Sequence, residues 1–129
     1  MAGLDAGQVY NTFPRMGSDW IPPGLMALEP GWRNLFYNLT TVQFDHRLLA
    51  MTTLVLAAVA WFRLGSDLPA RARPARHGVL AVAVLQVTLG ILTLLMAVPT
   101  LLAAAHQAAA LVFLTIALYL VHSLRKIPM

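Results

Sequence analysis

From Asp45 onward the chain is built of three apolar runs, roughly Asp45–Leu64, Gly78–Ala97 and Leu101–Ser123. Each is close to the ~20 residues that a helix needs to cross a hydrocarbon core of about 30 Å. Runs of this kind leave few folds open, because in hydrocarbon every backbone N–H and C=O must find a partner within its own segment, as an α-helix allows. Only Val98-Pro99-Thr100 separates the second run from the third. That link is so short that the two helices must return on one another as an antiparallel hairpin. Composition points the same way: 59% of the residues are hydrophobic and 11% charged, against roughly 45–50% and about 25% in soluble domains. An ordinary soluble globule is excluded, and so is a disordered chain, which needs low hydrophobicity and high charge. The expected fold class is an all-α membrane protein with three transmembrane helices, preceded by a loop outside the bilayer.

The formal net charge of +4 is concentrated at the flanks of the runs. Arg63, Arg71, Arg73 and Arg76 surround one short connection, and Arg125 and Lys126 follow the last run. Basic residues gather on the cytoplasmic side of membrane proteins. The segments 65–77 and 124–129 are therefore expected inside, with residues 1–44 and the turn 98–100 outside and the termini on opposite sides. The lipid bilayer is the expected partner, and no nucleic acid is. Zero cysteines exclude disulfides, thiolate metal sites and cysteine nucleophiles. Residues 1–44 do not form a signal peptide, since no basic start leads into an apolar core. Pro14, Pro22, Pro23 and Pro30 interrupt regular structure there. Trp20, Trp32, Phe36, Tyr37 and Phe44 suit a loop on a membrane interface. A short helix is expected over about Pro30–Leu39, with Trp32, Leu35 and Phe36 on one side. Asn38-Leu39-Thr40 matches a glycosylation acceptor, a pattern too short to carry weight.

An ionisable group inside a span needs a partner or a function. His77 and His122 fall at the inner ends, where contact with water or headgroups accounts for them. His46 and His106 lie within spans near the outer side. At 1.5 Å per residue they sit roughly 27 Å and 24 Å above the inner ends of their helices, so the two imidazoles share a depth on parallel helices. A histidine pair on facing helices can hold a haem iron from both faces. The alanines around His106 leave room for a flat macrocycle or for close helix approach. Arg47 is placed to pair with a haem propionate and Arg33 less well, while Asp45 or Gln107 could orient an imidazole through its second nitrogen. Hydrogen bonding of each histidine to a neighbouring helix stays open. So does a non-haem metal, although zinc and copper want a third or fourth donor. Gln86, Thr88, Gly90 and Thr93 read as helix-packing residues.

Several ordered motifs carry a family resemblance. Gly3-Leu4-Asp5-Ala6-Gly7, Val9-Tyr10-Asn11-Thr12-Phe13-Pro14 and Met16-Gly17 resemble the outer loop of the haem A synthase family, continued by Trp20-Ile21-Pro22 and Arg33-Asn34. Val42-Gln43-Phe44-Asp45-His46-Arg47-Leu48-Leu49 is similar to the family's first haem-ligand helix of the carboxyl-terminal half. Gln86-Val87-Thr88-Leu89-Gly90-Ile91 with Thr93-Leu94-Leu95 resembles the next helix, and His106-Gln107 the second ligand motif.

The resemblance implies a membrane oxidoreductase made of two four-helix bundles. It oxidises a ring methyl of haem O to the formyl of haem A for cytochrome oxidase. It also implies haem b on His46 and His106 as axial ligands of the iron, with Arg47 near a propionate. Haem O, haem O synthase and cytochrome oxidase assembly factors are the implied partners, and a homo-oligomeric state stays open. The implied location is the inner (plasma) membrane of a bacterium, or alternatively the mitochondrial inner membrane. The family's catalytic glutamate precedes a substrate-half histidine by three residues, whereas that offset from His46 is Gln43. No catalytic residue is therefore expected here, and the chain reads as a fragment supplying the haem-b-binding half, inactive by itself. The competing reading is a non-catalytic b-type electron-transfer or assembly subunit. A bundle without cofactor is the third.

Overall fold

The computed structural model describes residues 4–65 and 68–125. Gly3 of the first motif and Lys126 of the basic tail lie outside the described residues. The described chain is helical: α1 (Asn34–Tyr37), α2 (Leu39–Arg63), α3 (Ala72–Leu95) and α4 (Thr100–Leu124), with single 3-10 turns at Ala6–Gln8 and Gly31–Arg33. By length and composition α2, α3 and α4 are each able to cross a membrane. The protein is an all-α membrane protein.

The helix expected over Pro30–Leu39 divides in two. The 3-10 turn runs into α1, and the backbone then turns extended at Asn38 (φ −85°, ψ 107°) before α2 begins. Asn38 breaks the helix because its side chain is worth more as a cap: its Oδ1 accepts from the Thr41 backbone N–H at 3.1 Å. Asn34, fully buried, fixes the loop beneath it. Its amide donates to the carbonyls of Leu28 (2.7 Å) and Gly31 (2.9 Å), and its Oδ1 accepts from Leu28 N (2.9 Å) and Asn38 Nδ2 (3.0 Å). All four hydrogen-bonding positions of one amide are used. The helices also run past the apolar spans. α2 starts six residues before Asp45, and α3 starts at Ala72, inside the basic connection.

The three long helices pack in chain order, with α3 against both α2 and α4. Near contacts pair Gly78 with Ile116 and Gly90 with His106, so α4 descends as α3 ascends. The hairpin turn is closed by Val98 N donating to Thr93 O at 2.8 Å, with Ala97 and Val98 both left-handed (φ 57° and 61°). The apolar core lies toward the basic end, where Ala57, Ala72, Ala75, Val79, Ala83 and Leu120 are buried together. Small residues on α3 let the backbones approach there. Arg71 closes this end by donating from Nε to Ser123 O (3.1 Å) and from Nη2 to Arg125 O (3.1 Å), across the last carbonyls of α4.

Candidate functional site

At the loop end the helices part around a cavity of about 640 Å³, within the range of about 300–1,000 Å³ of small-molecule and cofactor sites. α3 forms its back wall, α2 and α4 its sides, and the first loop its cover, through Asp5, Gly7, Gln8 and Phe13. A narrower cavity of about 280 Å³ continues toward Leu54 and Phe113 and shares His46, Ala50, Gln86, Val87 and Ala110 with the first.

His46 and His106 both line this space. Their ring centroids are 6.2 Å apart and their planes cross at 76°. His46 is exposed into the trough and His106 is half-buried. The His106 ring lies on Gly90. A Cβ at that position would stand 3.0 Å from the ring's Cε1 and 3.5 Å from Nδ1. Gln86, one turn earlier on the same face of α3, brings its Nε2 to 3.4 Å from His106 Nε2. Where the Gln86 amide donates across this gap, His106 Nε2 is the acceptor and the ring proton sits on Nδ1.

Arg47 lines the cavity but is already employed. Its Nη2 donates to Tyr10 O at 3.0 Å and its Nη1 to Arg15 O at 3.1 Å, while Nε is buried without a partner. Gln43, fully buried one turn earlier, donates from Nε2 to the same Tyr10 carbonyl at 2.9 Å, and its Oε1 is buried without a partner. Asn11 ties the other flank, donating to Leu94 O at 2.9 Å. The loop is thus fastened to both α2 and α3 over the cavity mouth. Arg33 does not line the cavity; it lies 5.8 Å from the Tyr37 ring centroid. His77 belongs to the basic end, where its Nδ1 accepts from Trp61 Nε1 at 3.0 Å and the Arg76 guanidinium lies over that indole at 4.8 Å.

Gln86 and Gly90, which spacing reads as packing residues, are therefore in contact with His106. The signal that could have found them is a stripe on α3. Ala72, Ala75, Val79, Ala83, Gln86, Gly90 and Thr93 recur at intervals of three and four on one helix face. The first four are buried in the core, and the next three line the cavity. Gln107, read as an orienting residue, lines the cavity too, but the amide at His106 is that of Gln86.

The donor set selects among ligands. Among the described residues no group of three or more His, Asp or Glu side chains converges as a metal site. Structural zinc wants four such donors. Two opposed imidazoles suit a metal that brings its remaining ligands with it. A metal–imidazole bond of about 2 Å puts the two donor nitrogens about 4 Å apart and the ring centroids about 6 Å apart, close to the 6.2 Å found. The ring spacing and the cavity around it fit a haem taken between the two imidazoles.

Comparison with known proteins identifies the family. Residues 1–118 match the COX15-CtaA family, described as cytochrome oxidase assembly protein. The protein named "Heme A synthase COX15" in Homo sapiens is 51% identical over 99% of this chain, which corresponds to 32% of its own length. "Heme A synthase" of Nitrosospira multiformis is 50% identical over 98% of this chain and 36% of its own. "Heme A synthase COX15" of Arabidopsis thaliana is 46% identical over 98% and 28%. The chain thus spans about a third of the length of the curated relatives it matches. No solved structure matches. With three helices apolar enough to span a membrane and a family match over residues 1–118, the chain is a member of the COX15-CtaA family of cytochrome oxidase assembly proteins.

Proposed function

We propose that this chain is the haem-holding part of a haem A synthase, the oxidoreductase that converts haem O to haem A by oxidising a ring methyl to a formyl. The observation that carries the reading is the crossed pair His46 and His106 at 6.2 Å in a cavity of cofactor size. His46 and His106 are the axial ligands, and the group is haem b. A haem held by these two histidines would supply one-electron transfer. The chain's own residues hold and shield it. Gly90 and Gln86 support His106, while Gln43, Arg47 and Asn11 bind the loop that covers the mouth. Arg47, which lines the cavity, would be the cation nearest a propionate. Gln43, a glutamine with its amide committed to Tyr10 O, offers neither acid nor base.

The basic end faces the cytoplasm or matrix and the cavity the opposite side. The membrane is the bacterial plasma membrane, with the mitochondrial inner membrane as the alternative location. Haem O, haem O synthase and oxidase assembly factors are its partners. The test is a reduced-minus-oxidised spectrum of the complete gene product. His46→Ala and His106→Ala are each expected to remove the low-spin haem signal of this half. Full haem retention in both variants would overturn the assignment.

A further inference from the structure

We propose that Gly90 is the seat of His106, a positioning residue that fixes the plane of the imidazole, and that Gln86 is its companion at the ring's Nε2 edge. The inference rests on the haem-ligand reading of His106 and adds to it which residues of α3 aim the ligand.

Three ring atoms lie within 3.7 Å of where a Gly90 side chain would begin, the nearest, Cε1, at 3.0 Å. Contact with several ring atoms means that the imidazole rests on bare backbone, and any Cβ must tilt or turn it. Gln86 works on the ring's edge. Its amide meets Nε2 at 3.4 Å, beyond the usual 2.7–3.2 Å of an N–H donor bond. A contact that long orients the ring yet gives up the lone pair easily. The Oε1 of Gln86 and the Nδ1 of His106 are both buried without partners, so the ring has no strong bond to hold it, and the shape of the α3 surface sets its angle. That angle is 76° to the plane of His46.

Gly78 provides a matched control. It also lies where α3 meets α4, and a Cβ there would stand 3.2 Å from Ile116 Cγ2, three turns from His106. If Gly90 merely lets helices approach, Gly78→Ala and Gly90→Ala should behave alike. If it seats the ligand, only Gly90→Ala should alter the site.

The readout is the electron paramagnetic resonance of the ferric haem in the complete gene product. Crossed axial imidazoles keep the iron orbitals that they address nearly equal in energy and stretch the low-spin signal; aligned rings split them and narrow it. The parent protein and Gly78→Ala are expected to share one strongly anisotropic signal. Gly90→Ala should shift that signal or weaken haem binding by tenfold or more. Gln86→Leu, which keeps volume and loses the amide, should retain haem with a shifted or broadened signal.

Unaltered spectra and haem content in both Gly90→Ala and Gln86→Leu, with His106→Ala still losing the haem, would overturn the positioning role alone. Equal effects of Gly78→Ala and Gly90→Ala would also overturn it, in favour of helix packing. Retention of the full signal by His106→Ala would instead refute the ligand reading on which the role depends.

Discussion

Two side chains on α2 converge on one main-chain atom, the carbonyl oxygen of Tyr10, which accepts from Gln43 Nε2 and Arg47 Nη2. Arg47 reaches a second carbonyl, that of Arg15, with its other terminal nitrogen. A planar fork of donors makes this double reach possible, and a lysine in its place could not reproduce it. Hydrogen bonds from a charged group are each worth about 1.5–3 kcal/mol net, although Arg47 is only half-buried, which discounts its share. Arg47→Ala is therefore expected to loosen the loop without unfolding the helices. Limited proteolysis should show faster cleavage within residues 8–17, with helical circular dichroism unchanged. An unaltered cleavage pattern would mean that the loop is held by Gln43 and Asn11 alone. Of this arrangement the sequence showed only Arg47 as a cation near the outer end of a span. Its carbonyl partners were hidden because they belong to residues more than thirty positions away.

Helix ends explain most of the difference between apolar runs and the helices that contain them. Hydropathy sees where a side chain prefers lipid; it does not see the capping groups that let a helix continue into the aqueous rim. Asn38 caps α2 seven residues before the apolar run, and the basic connection winds into α3 from Ala72. Arg71, just before that start, lies against the last carbonyls of α4, where a cation also meets the negative end of the helix dipole. The residue is exposed, so its contribution is modest, about 0.5–1 kcal/mol. Arg71→Gln is expected to lower the thermal midpoint in detergent slightly and to speed amide exchange in the last turn of α4, leaving the loop end untouched. An equal increase in exchange at both ends would contradict that local role.

Across the whole molecule, packing is divided between two ends. The basic end is closed by small residues on α3 and by the clasp of Arg71, while the loop end is spread around its cavities. Ala110 borders both cavities and is exposed to them. Ala110→Phe is accordingly expected to fill the trough with little harm to the fold, because its ring enters open space rather than a filled core. Haem content measured by pyridine haemochrome should fall severalfold, with helicity and the basic-end packing preserved. Normal haem content in that variant would show that the group binds elsewhere.

Hydropathy, charge placement and the ordered motifs were enough to establish a three-helix membrane chain of this family, since spacing and composition are local properties that water and lipid read directly. They also singled out His46 and His106, because ionisable groups at matched depth stand out in apolar runs. The angle and spacing of the two rings, the contact of Gly90 and Gln86 with His106, and the employment of Arg47 on loop carbonyls were decided by the tertiary structure. A stripe of small and polar residues on a helix looks the same in sequence whether the next helix closes on it or stands away. Only the tertiary structure shows that α2, α4 and the first loop leave open space over the upper part of that stripe and make it the wall of a site.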